Sequence, residues 1–186
     1  MGVSAKVSIV GPIWFSTSAI DSPQLPERTI AVFNVQPVRM SFYRLLAQEV
    51  DYLVPSISAQ FLTDSFICIQ SIGAQMLFKR KRQRNSKYHH PSYIRFVERM
   101  GKWDKMSTID RDTSAYKLIE KCSAVISMPF TSTAFIAEEL GKPSCFYDPT
   151  GFLQRDDRAA HRIPIMIGRT ELQAWLEALA LPMPTR

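Results

Sequence analysis

The sequence predicts an α/β fold in which helices cover both faces of a doubly wound parallel sheet. Short runs of β-branched and aromatic residues alternate with amphipathic stretches of about ten residues. Gly and Pro residues separate the two kinds of segment. Because strand–helix–strand units cross over with a right hand, this alternation predicts parallel strands rather than hairpins.

The predicted elements of the first half alternate between strand and helix. Residues 29–33 are a short β-branched and aromatic run that predicts the first strand. Residues 41–53 and 58–71 carry apolar residues at helical spacing and predict two helices, the second of which ends at Gly73. Residues 75–78 predict the second strand, which leads straight into a basic segment.

The second half continues the same alternation. An apolar stripe at i, i+3, i+4 and i+7 predicts a helix over residues 91–100, and residues 105–109 predict a strand. Thr170 and Gln173 predict a capping box at the start of the last helix. The remaining predicted elements are helices over 113–122, 132–140 and 170–180 and strands over 124–127, 144–147 and 163–167.

Length and composition are those of one globular domain. The chain has 186 residues, of which 46% are hydrophobic and 22% charged, and domains usually contain about 100–200 residues. No apolar run approaches the roughly 18 residues of a membrane span, and the N-terminus does not resemble a signal peptide. The three cysteines (Cys68, Cys122 and Cys145) are too few and too dispersed for a disulfide scaffold or zinc cluster. We therefore expect a cytoplasmic protein with these thiols in its core.

The net charge of +6 comes from one short segment. Without that segment the chain carries 17 basic and 17 acidic residues. Three interpretations stay open for it, namely a solvated loop, a patch for nucleic acid or localisation, and the phosphate-binding edge of an active site. The positive residues are Lys79, Arg80, Lys81, Arg82, Arg84 and Lys87.

Polar side chains follow most of the predicted strands. In an open parallel sheet, ligands bind beyond the carboxyl ends of the strands. Asn34 and Gln36 follow the first strand, the basic segment follows the second, and Asp110 and Asp148 follow the third and fifth. A ligand site is therefore expected at this edge.

Three successive hydroxyls follow the fourth strand and open a helix. Thr131, Ser132 and Thr133 lie where the first helical turn has unsatisfied N–H groups and a partial positive charge. This arrangement suits a phosphate, and it equally suits a simple helix N-cap. Neither a Walker sequence nor a G-x-G-x-x-G motif occurs, so P-loop nucleotidases and dinucleotide-dependent oxidoreductases are poorly supported.

Two neighbouring histidines follow the basic segment. His89 and His90 precede Pro91 at the start of a predicted helix. Because adjacent side chains point in different directions, we do not expect them to share a metal ion. An exposed loop pair and a contact to a phosphate or acceptor are the two interpretations.

Three stretches carry a resemblance to a known family. Residues 124–133 read AVISMPFTST, residues 137–143 AEELGKP and residues 145–148 CFYD. They resemble bacterial polysaccharide-biosynthesis proteins called after a Pro-Phe-Thr-Ser (PFTS) motif, here residues 129–132. The order of strand, Ser/Thr turn, helix, Gly-Lys-Pro and strand is more distantly similar to the C-terminal domain of GT-B glycosyltransferases. The resemblance implies a Rossmann-like nucleotide-sugar-binding domain, one half of a GT-B architecture.

The resemblance also implies roles for the residues at the sheet edge. Hydroxyls after the fourth strand would hold the phosphates of the donor, and basic residues after the second would neutralise the departing nucleoside diphosphate. Asp110 or Asp148 would contact the ribose or base, and His89 or His90 the acceptor or a phosphate. No metal or cofactor is implied beyond the nucleotide-sugar substrate. The phosphate-binding set would be Thr131, Ser132, Thr133, Lys79, Arg80 and Lys81.

Two departures from the GT-B pattern shape the expected mechanism. Retaining GT-B enzymes commonly carry a ribose-binding glutamate where this chain has Ile136, so we expect inversion. A GT-B enzyme also has two Rossmann-like domains, and this chain has room for one. We therefore expect residues 1–27 to be a strand and linker remaining from a preceding domain, and residues 28–186 to form the donor domain.

The expected partners follow from this division. They are the nucleotide-sugar, a missing N-terminal acceptor domain that would supply the catalytic base, and the surface of the inner membrane. Nucleic acid is not expected as a partner. The alternative is a non-catalytic Rossmann-like module that binds nucleic acid or an anionic surface through Lys79–Lys87.

Overall fold

The computed structural model describes residues 24–39, 51–80, 89–109, 113–179 and 181. In these residues six parallel strands form one sheet in the order β3-β2-β1-β4-β5-β6. This is the strand order of the doubly wound Rossmann fold, and it confirms the predicted fold class. The strands are β1 (Thr29–Phe33), β2 (Gln75–Lys79), β3 (Met106–Ile109), β4 (Ala124–Ser127), β5 (Ser144–Asp148) and β6 (Ile165–Ile167).

Helices cover both faces of the sheet. On one face the first helix packs against the second and the last, and on the other face the third packs against the fourth. The α-helices of the described residues are α1 (Pro55–Ser71), α2 (Pro91–Met100), α3 (Ala115–Lys121), α4 (Ser132–Glu139) and α5 (Gly168–Ala178). Within this part of the chain, no helix is both long and apolar enough to cross a bilayer.

The central strands are apolar along their whole length because both of their faces are covered. In β1, Ile30 and Val32 face the core beneath α1, α2 and α5. Ala31 and Phe33 face the opposite core, beneath α3 and α4. A third apolar cluster surrounds Phe146 of β5. The sheet is thereby packed on both faces, and it positions the loops at its carboxyl edge.

Most predicted elements are confirmed. The strands at 29–33 and 124–127 and the helix at 91–100 have the predicted bounds, and the other described elements shift by three residues or fewer at an end. In the predicted helix at 41–53, only Asp51–Leu53 lies among the described residues, and it is a 3-10 turn. All three cysteines are buried, as predicted. The division at residues 27 and 28 stays a prediction.

The predicted capping box at Thr170 and Gln173 is wrong. Helix α5 begins two residues earlier, at Gly168, and its N-cap residue Ile167 makes no side-chain cap. Instead the Glu171 carboxylate accepts a 2.9 Å hydrogen bond from the Ile167 N–H. Gln173 is engaged elsewhere, since its amide donates to the Ser71 hydroxyl at 2.7 Å. The Glu171 carboxylate thus satisfies an N–H at the helix start that a Thr170 cap does not reach.

Candidate functional site

The strand order of the sheet changes direction between the paired strands β1 and β4. From β1 the chain first builds β2 and β3 on one side and then returns to build β4, β5 and β6 on the other. Phe33 and Ser127 are register partners, and the Met128 N–H donates to the Phe33 carbonyl at 2.8 Å. The chain therefore leaves β1 and β4 side by side, at a topological switch point of the kind where doubly wound sheets bind ligands.

The PFTS residues form the turn that joins β4 to α4. The Met128 carbonyl accepts from the Thr131 N–H at 3.3 Å and from the Thr131 hydroxyl at 2.8 Å. Phe130 has φ +59°, a left-handed conformation that costs a bulky side chain about 1–2 kcal/mol. Its ring centroid lies 5.7 Å from that of Phe146, so packing against the sheet offsets this strain.

The three hydroxyls of the turn have different surroundings. The Thr133 hydroxyl lies 2.8 Å from the buried Ser127 hydroxyl and 3.3 Å from that of Thr131. Thr131 is the N-cap residue of α4, as one of the two interpretations expects, but its side chain makes no cap hydrogen bond. Ser132, the first residue of α4, is exposed. Ser132 therefore presents its hydroxyl to solvent, while the two threonine hydroxyls shape the turn.

Two of the predicted phosphate-binding cations lie at the same edge of the sheet. Lys79 is the last residue of β2, Arg80 follows it, and both are half-buried. Strands β2 and β4 flank β1 on its two sides, each about 4.8 Å from it. The cations and the PFTS turn thus leave the sheet in the same direction from nearby strands. Lys81, and the rest of the basic segment, lies outside the described residues.

The two histidines differ in their surroundings. His89 is only 8% exposed and forms an antiparallel bridge with Val38, so the expectation of an exposed loop pair is wrong for His89. His90 is the N-cap of α2, and its Nδ1 accepts from the Ser92 N–H at 3.3 Å. Pairing with the chain segment after β1 buries His89. A contact of either histidine with a phosphate or acceptor stays a prediction.

A buried polar network at the end of β1 was missed by sequence reasoning. The Asn34 amide donates to the Ser58 hydroxyl at 3.0 Å and to the Tyr93 hydroxyl at 2.9 Å. Ser58 in turn donates to the Val35 carbonyl at 3.1 Å. Burial raises the pKa of Tyr93 to about 12, although its side-chain hydrogen bonds with Asn34 and Ser58 and the charge of Arg80 lower it. The network attaches the loop after β1 to α1 and α2.

Asp148 is the last residue of β5 and is fully buried. Its carboxylate accepts from the Thr150 N–H at 2.8 Å, the Thr150 hydroxyl at 2.5 Å and the Leu153 N–H at 3.0 Å. Both carboxylate oxygens therefore hold the loop after β5. A direct contact of Asp148 with a ribose or base stays a prediction. The bonds to the loop disfavour such a contact because they already occupy both carboxylate oxygens. Asp110 lies outside the described residues.

No cluster suited to a metal ion occurs in the part of the chain that the structure describes. There, no group of three or more His, Cys, Asp or Glu side chains is arranged to hold an ion.

Solved structures similar to this chain include a glycosyltransferase. It is KpsC of Thermosulfurimonas dismutans, a beta Kdo 2,4 transferase, at 16% sequence identity and a TM-score of 0.44. The similarity covers 82% of this chain and 44% of that one, so the chain spans less than half the length of this protein. No curated protein sequence matches the chain.

Comparison with protein families gives a match over nearly the whole sequence. The family described as polysaccharide biosynthesis PFTS motif protein matches residues 1–176. Its four characteristic residues are Pro129, Phe130, Thr131 and Ser132, which form the turn at the switch point. The chain belongs to the PFTS-motif proteins of polysaccharide biosynthesis.

Proposed function

We propose that this chain is the donor-binding domain of a glycosyltransferase that builds bacterial surface polysaccharide. It binds a nucleotide-sugar without a metal ion and transfers the sugar with inversion. One observation carries the proposal: the family's characteristic motif forms the turn at the switch point of a Rossmann-type sheet. That is the place where such sheets bind nucleotides.

The donor's diphosphate lies against the first turn of α4. The N–H groups of Ser132 and Thr133 precede the first bond of the turn, which the Ala134 N–H donates to the Thr131 carbonyl at 3.3 Å, and they carry part of the helix dipole's positive charge. The Ser132 hydroxyl is exposed beside them and donates a further hydrogen bond. Because Thr131 and Thr133 are already bonded to Met128 and Ser127, the turn keeps its shape when the ligand binds.

The reaction depends on stabilising the charge of the leaving group. As the acceptor oxygen attacks the anomeric carbon, the bond from that carbon to the diphosphate breaks and the diphosphate leaves with an additional negative charge. Helix N–H groups, Ser132, Lys79 and Arg80 stabilise that charge, and each well-placed donor contributes about 3 kcal/mol. The proton of the acceptor goes to a base in the partner domain, which this proposal requires.

The side chains of α4 support inversion. Ile136 stands at the position where retaining GT-B enzymes commonly carry a ribose-binding glutamate, and it packs against the core beneath α3. Glu138 and Glu139 are exposed and lie at the C-terminal end of the helix, opposite to its proposed ligand-binding end. Helix α4 therefore offers no carboxylate for that role. The cytoplasm and the inner-membrane surface, where nucleotide-sugars meet nascent polysaccharide, are the proposed location.

Nucleotide binding tests the proposal directly. Thermal melting and calorimetric titration of the full chain with UDP, GDP and CMP are expected to show saturable stabilisation by at least one nucleotide. The double substitution Thr131→Ala and Ser132→Ala is expected to abolish that binding without unfolding the chain. Thr108→Ala is the control, because it removes an exposed hydroxyl from the edge strand β3.

Two outcomes would overturn the proposal. Retained nucleotide affinity in the double variant would mean that the Thr131 hydroxyl only closes the turn and that the Ser132 hydroxyl does not contact the ligand. Melting that no nucleotide shifts, together with binding of DNA that weakens steeply with salt, would favour the nucleic-acid module instead.

A further inference from the structure

The loop after β5 presents an aromatic ring to solvent. Phe152 is 80% exposed. Among the described residues, the other large apolar side chain classed as exposed is Ile67 of α1, at 43%. Because β5 ends at Asp148, this loop lies at the same edge of the sheet as the PFTS turn.

The exposure of Phe152 is not the result of a loosely held loop. Asp148 anchors the loop through Thr150 and Leu153, as described above. The Gln60 amide of α1 also donates to the Pro149 carbonyl at 3.2 Å. The side chain of Leu153 packs into the cluster around Phe146 while that of its neighbour Phe152 stays outside. The loop is thus bonded on both sides of an outward aromatic ring.

The loop lies beside the motif. Phe130 of the PFTS turn and Leu153 of the loop pack against the same buried cluster around Phe146. Strands β4 and β5 are hydrogen-bonded neighbours about 4.8 Å apart. Lys79 and Arg80 lie on the other side of the motif, beyond β1. Seen from the motif, the side away from these cations is the side of β5 and its loop.

We propose that the ring of Phe152 stacks on the nucleobase of the donor. The inference rests on the proposed function, because it requires a nucleotide at the PFTS turn. An aromatic ring stacks on any base, since every base has a π-face, so Phe152 supplies affinity rather than the choice of base. The proposal also gives the nucleoside a contact that the buried Asp148 carboxylate does not offer.

The test compares a nucleotide with a ligand that has no base. Calorimetric titration uses the full chain with inorganic pyrophosphate and with the best binder of UDP, GDP and CMP. Phe152→Leu keeps an apolar side chain but removes the ring. It is expected to weaken nucleotide binding about tenfold while pyrophosphate binding changes less than about twofold. Phe152→Trp is expected to retain nucleotide affinity, and Ile67→Ala is the control for loss of an exposed apolar side chain.

The outcomes separate this inference from the proposed function. Nucleotide binding by the wild type that Phe152→Leu leaves unchanged would overturn the stacking and leave the donor-binding function standing. Equal weakening of nucleotide and pyrophosphate binding would also overturn it, because the effect would then not depend on a base. A wild type that binds no nucleotide would overturn both proposals. Because Phe152 is 80% exposed, both of its variants are expected to melt at the wild-type temperature.

Discussion

The hydroxyl of Ser127, the last residue of β4, lies 2.8 Å from the hydroxyl of Thr133 in the first turn of α4. Ser127 is fully buried, so this contact joins strand and helix beneath the PFTS turn. The Thr131 hydroxyl closes the same turn through the Met128 carbonyl. Hydrogen bonds of Ser127, Thr131 and Thr133 therefore hold the shape of this connection, and Ser132 is exposed.

The bond between Ser127 and Thr133 is expected to contribute measurably to stability. Ser127→Ala removes one partner of a buried hydrogen bond and is expected to lower the free energy of unfolding by about 1–2 kcal/mol. Thr133→Val removes the other partner. If the two hydroxyls bond to each other, urea unfolding of the single and double variants will give a coupling energy of about 0.5–1.5 kcal/mol. Strictly additive losses would contradict the bond.

At position 130, we expect the glycine variant to be more stable than the alanine variant, which is the reverse of the usual order of stability. Both substitutions lose the packing of the ring against Phe146. At φ +59°, however, alanine keeps the left-handed strain and glycine does not. We expect Phe130→Gly to be more stable than Phe130→Ala by about 1 kcal/mol in urea unfolding. A less stable glycine variant would show that the turn does not adopt this conformation in solution.

The fold and part of the site follow from local patterns, and the rest does not. Apolar periodicity predicts α2 with its observed bounds because one face of that helix is buried, and continuous apolar runs predict β1 and β4 because both faces of these strands are covered. The position of the PFTS turn at a strand end follows in the same way. The network of Asn34, by contrast, joins side chains 24 and 59 residues apart, and no local pattern encodes such a contact.

The same limit applies to individual polar side chains. Sequence places Asp148 at the edge where parallel sheets bind ligands, but whether its carboxylate turns towards a ligand depends on the loop beyond it. Here Thr150 and Leu153 supply the donors. Which of three consecutive hydroxyls is exposed depends likewise on the φ of Phe130 and on the buried Ser127. These side-chain orientations depend on the folded surroundings of each residue and not on a local sequence pattern.

Stability is expected to fall at high pH because Tyr93 is buried. Its pKa is raised to about 12, first by desolvation, from an ordinary value of 10.0. At a pH between these two pKa values, the unfolded chain has released the phenolic proton while the folded chain keeps it. The stabilisation is therefore complete below pH 10 and is lost as the pH rises through 12, by up to about 1.4 kcal/mol per pH unit.

A matched variant isolates this contribution. Burial also raises the pKa of Cys68 and of Cys122, so other groups act in the same direction. Urea unfolding of wild type and Tyr93→Phe between about pH 9 and 11.5 is expected to show a steeper loss of stability in the wild type. Parallel curves for the two proteins would mean that Tyr93 is not buried as the structure shows.

The binding position of a nucleoside diphosphate tests the central claim most directly. A crystal structure of the chain with UDP or GDP is expected to place phosphate oxygens within about 3 Å of the Ser132 hydroxyl and the first N–H groups of α4. A diphosphate bound at the opposite edge of the sheet, near Lys142 and Arg162, would contradict the claim. So would crystals in which saturating nucleotide leaves the PFTS turn without a ligand.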